Sequence, residues 1–176
     1  MGKSGLVSVV FASLALGLCI GLAAKDKFPG IDLIRSKPPK EAGLAALQEA
    51  ERLAGNGSWE LISVARVYYL SGDHAKGQAL IERALSHKPK ATDFQRVAEV
   101  YAAAGDHGEA ENYFERALAA DPKDDTGQSE IGAWYIRNGQ RAKGEELLAK
   151  ALTKNPDDVW HYIRASEAFL GVPAGR

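Results

Sequence analysis

Cysteine is nearly missing from this 176-residue chain, which carries Cys19 and no other. One thiol excludes an internal disulfide framework and any zinc site built on several thiolates. A surplus of charge is missing too, because the formal net charge is −1. Nucleic-acid binding ordinarily needs a basic face or stripe, so that partner class is set aside. No glycine-rich phosphate loop, nucleophile elbow or HExxH pair occurs. The reading is therefore of a protein that is not an enzyme, with no catalytic residues, metal, cofactor or small-molecule substrate. Stability must come from packed apolar surface, and at 45% hydrophobic residues the composition can supply it.

The first apolar surface is unlike the rest. Residues 4–24, SGLVSVVFASLALGLCIGLAA, hold no charged side chain. A helix of that length just spans a bilayer core of ~30 Å at ~1.5 Å per residue. The same stretch has the form of a secretory signal, with Lys3 before it and small residues at Gly21, Ala23 and Ala24. Residues 1–24 are thus read as a signal peptide or a membrane anchor, an N-terminal apolar helix in either case. Lys25 and Lys27 follow directly, and with Arg35, Lys37 and Lys40 they favour a cytoplasm-facing C-terminal side for an uncleaved anchor. Lipid attachment is not supported, because Leu18 is too large before Cys19 for a lipobox and MGKSGL lacks a sixth-position Ser or Thr. Residues 25–38 contain Pro29 and Pro38, with Pro39 next, and read as a linker.

Beyond residue 58 the chain copies itself. Gly72, Gly105 and Gly139 recur at spacings of 33 and 34, as do Ala84, Ala117 and Ala151, and Pro89, Pro122 and Pro156. That period marks stacked helical hairpins. Within each copy the apolar residues follow i, i+3, i+4, i+7, as in Phe94, Val97, Ala98 and Tyr101, one stripe of a helix. Ala98 and Gly132 are small where a second helix must come close. The second helix repeats the pattern with Ala110, Phe114, Ala117 and Leu118, and a proline then ends it.

Two Asp-His pairs, Asp73 with His74 and Asp106 with His107, first suggest a relay or a ligand set. Their register places them at the same turn of adjacent hairpins, ~10 Å apart, too far to share a metal with ligand bonds of ~2 Å. The third copy has Gln140 and Arg141 instead. The aspartates are read as helix caps, Asp106 with Glu109 at capping-box spacing.

The three copies resemble the tetratricopeptide repeat, W-x2-L-G-x2-Y…A-x3-F…P. They read Leu61, Val64, Ala65, Tyr68, Gly77, Ile81, Pro89; Phe94, Val97, Ala98, Tyr101, Ala110, Phe114, Pro122; and Gln128, Ile131, Gly132, Tyr135, Gly144, Leu148, Pro156. Gln128 and the glycines at 77 and 144 depart from the pattern. Gly43, Leu47 and Ala50 continue it backwards as a lone second helix, and Tyr162, Ala165, Ser166 and Phe169 forwards as a lone first helix. The expected fold is an all-α solenoid of three full repeats plus flanking half repeats. Its parts are a half-repeat helix at 39–57, repeats at 58–158, a capping helix at 159–171 and a tail at 172–176.

The resemblance implies a concave groove lined by the first helices, holding a partner peptide or helix. Its positions here are Trp59, Ile62, Arg66, Tyr69, Gln95, Glu99, Ser129, Ile136 and Arg137, with Trp160 and Ile163 from the terminal helix. The carboxylate clamp of chaperone-adaptor members is absent, since Ile62, Arg66, Arg96, Thr126 and Glu130 stand at its positions. The expected function is a protein-binding adaptor or scaffold of the bacterial cell envelope, exported to the periplasm or anchored in the inner membrane. The alternatives are a structural assembly module using the convex face or end repeats, and a cytoplasm-facing anchor.

Overall fold

A computed structural model describes residues 30–173. The apolar run 4–24 and the targeting roles read from it lie outside the described residues. Among the described residues no helix is long and apolar enough to cross a membrane.

The described chain is helical, without strands. A 3₁₀ turn, Gly30–Leu33, interrupts the linker. Eight α-helices follow: α1 Pro39–Ala54, α2 Ser58–Leu70, α3 His74–Leu85, α4 Ala91–Ala104, α5 His107–Ala120, α6 Asp125–Arg137, α7 Arg141–Lys154 and α8 Val159–Leu170. Local chemistry sets these limits. Pro39 opens α1, where its missing N–H costs nothing. Asp73, Asp106, Asp124 and Asp158 each accept a hydrogen bond from a free amide at the head of α3, α5, α6 and α8. Both Asp-His pairs thus sit at helix heads. Glu109 does not close the expected box, because its carboxylate accepts from the Asn112 amide instead. Gly72, Gly105 and Gly139 take φ of +99°, +81° and +82° in the hairpin turns, a region side chains disfavour.

Helices α2/α3, α4/α5 and α6/α7 form antiparallel hairpins stacked as a solenoid, with α1 against α2 and α8 against α6. The hairpins close at small residues. A Cβ on Gly132 would lie 2.9 Å from the Gly144 carbonyl oxygen, so the two backbones touch there. Gly77 is equally pressed, its Cβ position lying 2.9 Å from Tyr69 Cβ. The glycines that depart from the repeat pattern are therefore its closest contacts. Ala65, Ile81, Ala98, Ala110, Tyr135 and Ala151 are fully enclosed.

The outer face of α8 is not the polar one that closes a solenoid. Tyr162, Phe169, Leu170 and Val172 are exposed on the terminal helix and the residues after it.

Candidate peptide-binding groove

Because the hairpins stack in register, equivalent residues of α2, α4, α6 and α8 line up across the repeats. One row reads Trp59, Thr92, Thr126, Trp160, and the next, one helical turn on, reads Ser63, Arg96, Glu130, Arg164. Two clefts run along these rows. A cleft of about 370 Å³ crosses α2, α4 and the start of α6, lined by Trp59, Thr92, Gln95, Arg96, Glu99 and Glu130 among others. One of about 330 Å³ lies between α6 and α8, lined by Thr126, Ser129, Glu130, Trp160, Arg164 and Glu167 among others. Thr126 and Glu130 belong to both, so the two form one groove with a tryptophan at each end.

Both tryptophans are available to a partner, Trp59 at 50% exposure and Trp160 at 59%. The Arg96 guanidinium lies over the Trp59 ring, 3.5 Å from its centroid, a cation-π stack. Arg164 stands 6.0 Å from the Trp160 ring centre and pairs with Glu167 at 2.9 Å and Glu130 at 3.6 Å. Gln95 donates to Glu130. The floor is thus a chain of paired polar groups between two aromatic ends. It offers hydrogen-bonding and stacking.

Of the sequence-derived positions, Trp59, Gln95, Glu99, Ser129 and Trp160 border this groove. Ser129 serves only as floor, buried, with its hydroxyl donating to the Thr126 carbonyl. Ile62 is buried in the core and offers no surface. Tyr69 turns toward the hairpin, edge-on to His74 and Tyr101 at 4.5 and 5.3 Å. Ile136, its equivalent in α6, packs against Gly144. Both follow a core tyrosine by one residue, which points them into the hairpin. Arg66, Arg137 and Ile163 are half-buried beside the clefts and line neither. Burial pulls the Arg137 guanidinium below its ordinary value, against the opposing field of Glu167. The residues missed were Thr92, Arg96, Thr126, Glu130, Arg164 and Glu167. The signal that would have found most of them is the pair of rows, with tryptophan at both ends of one and Arg, Glu, Arg in the other.

A second cluster escaped the sequence reading, which weighed His74 and His107 alone. Asp125, Asp158 and His161 bring one oxygen or nitrogen each within 4.8 Å of one another, a spacing that could hold a metal. The donor set argues otherwise. Both Asp125 oxygens are already engaged, one by Lys154 Nζ at 2.7 Å and the other by the Asn155 amide. A cation there would face the Lys154 ammonium. Buried His161 instead ties α8 to α6 through Nε2, 3.3 Å from Asp125 Oδ2.

A family model described as Tetratricopeptide repeat matches residues 101–166. Among solved structures, one titled "Crystal structure of MamA" has a similar fold, with a TM-score of 0.50 and 16% identity over 67% of this chain and 71% of that one. No curated protein matches in sequence.

Proposed function

Since the chain carries tetratricopeptide repeats, we propose that it is a non-enzymatic adaptor whose groove between Trp59 and Trp160 binds a segment of a partner protein. Repeats of this family mediate protein–protein interaction through extended concave surfaces of this kind. One observation carries the reading here. The two clefts are continuous and end in exposed indoles, and tryptophan and arginine are the side chains that most often dominate binding energy. An extended or helical segment would set an apolar side chain against each indole. Its backbone or polar groups would meet Gln95, Arg96, Glu130 and Arg164 between them. The apolar run 4–24 supplies location in this proposal, directing the repeats to a cell-envelope membrane.

The test is site-specific photo-cross-linking in the cells that make the protein. A photo-reactive residue at Thr92 should capture a discrete partner that one at exposed Glu82, on α3, does not. Trp59→Ala with Arg96→Glu should reduce that adduct at least tenfold. Equal capture from both positions, or an adduct indifferent to the double substitution, would sink groove binding. For location, an N-terminus at Ala24 or Lys25 means export with cleavage. An intact Met1 or Gly2 with the repeats shielded from external protease means a cytoplasm-facing anchor.

A further inference from the structure

The two ends of the solenoid are halves of one hairpin. Helix α8 carries Tyr162, Ala165, Ser166 and Phe169 in the register of Leu61, Val64, Ala65 and Tyr68. In the three complete repeats a second helix covers these positions. Tyr68, Tyr101 and Tyr135 are exposed by 6%, 3% and 0%, whereas Phe169 is exposed by 49%. Ala65, Ala98 and Gly132, the close-approach residues of α2, α4 and α6, are all buried, and Ser166 is exposed.

Helix α1 shows the converse. Its Gly43 stands in the register of Gly77, Ala110 and Gly144, which are buried against their own first helix. Nothing lies within 4 Å of the position a Gly43 Cβ would take. Val67 on α2 is also 46% exposed, while Val100, Trp134 and Ala168 in its register are buried, Trp134 against Phe114 of the preceding repeat. Among the described residues, one end therefore presents a first helix without its second, and the other a second helix without its first. Each face keeps the small residue that lets backbones meet, although nothing among the described residues meets it.

From this matched register we infer that the protein assembles head to tail, α8 of one copy pairing with α1 of the next to complete a fourth hairpin across the junction. Ser166 would face Gly43 of the neighbour as Gly132 faces Gly144 within the chain. Val67 of the neighbour would be covered at the same time, so one interface accounts for the exposed apolar surface at both ends. Such a contact is heterologous, and it propagates into a filament or closes into a ring. Each junction would also bring the Trp160 end of one groove next to the Trp59 end of the following one, since both residues occupy the same row. The inference stands on the end faces and does not require the groove to bind a peptide.

The experiment uses the full chain in mild detergent with Cys19→Ser, so that the thiols introduced are the only ones. Gly43→Cys and Ser166→Cys variants are mixed and mildly oxidised. A disulfide-linked dimer should form in the mixture and in neither variant alone, and the double variant should extend it into a ladder. Dimers from Ser166→Cys alone would put two α8 faces together and overturn the head-to-tail arrangement. Wild-type protein that sediments as a monomer at high concentration would overturn it as well. Phe169→Asp, added to the Ser166→Cys partner, should abolish the product at unchanged helix content; a product that survives counts against the proposed face. Arg96→Glu, in the groove, should leave the product intact, which separates this result from a failure of peptide binding.

Discussion

Aspartate serves two structural purposes in this protein, and one of the two gives stability a pH dependence. Asp73 and Asp106 cap helices from exposed turns. Asp125, mostly enclosed, accepts from Lys154 and Asn155 and faces His161, joining the ends of α6, α7 and α8. The Lys154 ammonium first, and the Asn155 amide second, hold its carboxyl well below the usual aspartate range. A carboxyl whose folded pKa is depressed stabilises the fold fully above its unfolded value, about 3.9. That stabilisation drains away as pH falls from there through the folded value, because protonation then costs more in the folded state than in the unfolded one. Urea unfolding of wild-type and Asp125→Asn protein should therefore show a constant stability difference from pH 7 to about pH 5. The difference should shrink steadily below about pH 4. A difference that stays the same at pH 3 would show that the Lys154 and Asn155 contacts do not bias ionisation of Asp125.

Hairpin closure depends on how near two helix backbones can come, and the glycines grade that distance. At Gly144 a Cβ would fall on the Gly132 carbonyl oxygen and lie 3.0 Å from the Ile136 nitrogen. Backbone cannot rotate aside, so Gly144→Ala must push α6 and α7 apart, at an expected cost of about 1–3 kcal/mol. Gly43, in the same register of α1, has open space within one copy, and in protein diluted to the monomer Gly43→Ala should instead stabilise α1 by up to about 1 kcal/mol. Denaturant midpoints of the two variants should move in opposite directions; a shared direction would break the link between register and contact. These contacts explain what could be read in advance. Small residues at fixed spacing are the visible trace of hairpin closure, so the helical solenoid was legible from Gly132, Ala98 and their repeats. The groove was less so. Ile62 and Ser129 sit beside the core stripe, and whether such a neighbour faces core or cleft depends on the angle at which the next hairpin stacks. The Asp125–His161 contact spans 36 residues and one hairpin, and no local pattern announces it.

At the scale of the whole solenoid the seams differ. Helix α2 packs closely on α4, and α6 on α8, but α4 and α6 stand further apart. The side chains at one pair of facing positions show why. Ser58 donates to Asp93 at 2.8 Å across the first seam, and Asp125 meets His161 across the last. At the middle seam the corresponding two positions hold Ala91 and Gly127, which can make no such bond. That seam relies on the Gln95–Glu130 hydrogen bond and on Trp134, whose ring lies 4.8 Å from Phe114 and 6.2 Å from His107 of the preceding hairpin. Lys143 adds ion pairs of 2.8 Å to both Glu111 and Glu115. A solenoid's stability is a sum of repeat and nearest-neighbour terms, so weakening one seam uncouples the blocks on either side. Trp134→Ala, which empties a buried indole site, should cost about 3–5 kcal/mol. The loss should fall unevenly, with amides of α6, α7 and α8 exchanging well before those of α2 to α5 in native-state hydrogen exchange. Lys143→Met should give the same order of opening with a smaller loss, because it leaves the aromatic contact in place. If exchange in the Trp134→Ala protein instead rises equally in all helices, the repeats unfold as one unit. The middle seam would then be as strong a coupling as the other two.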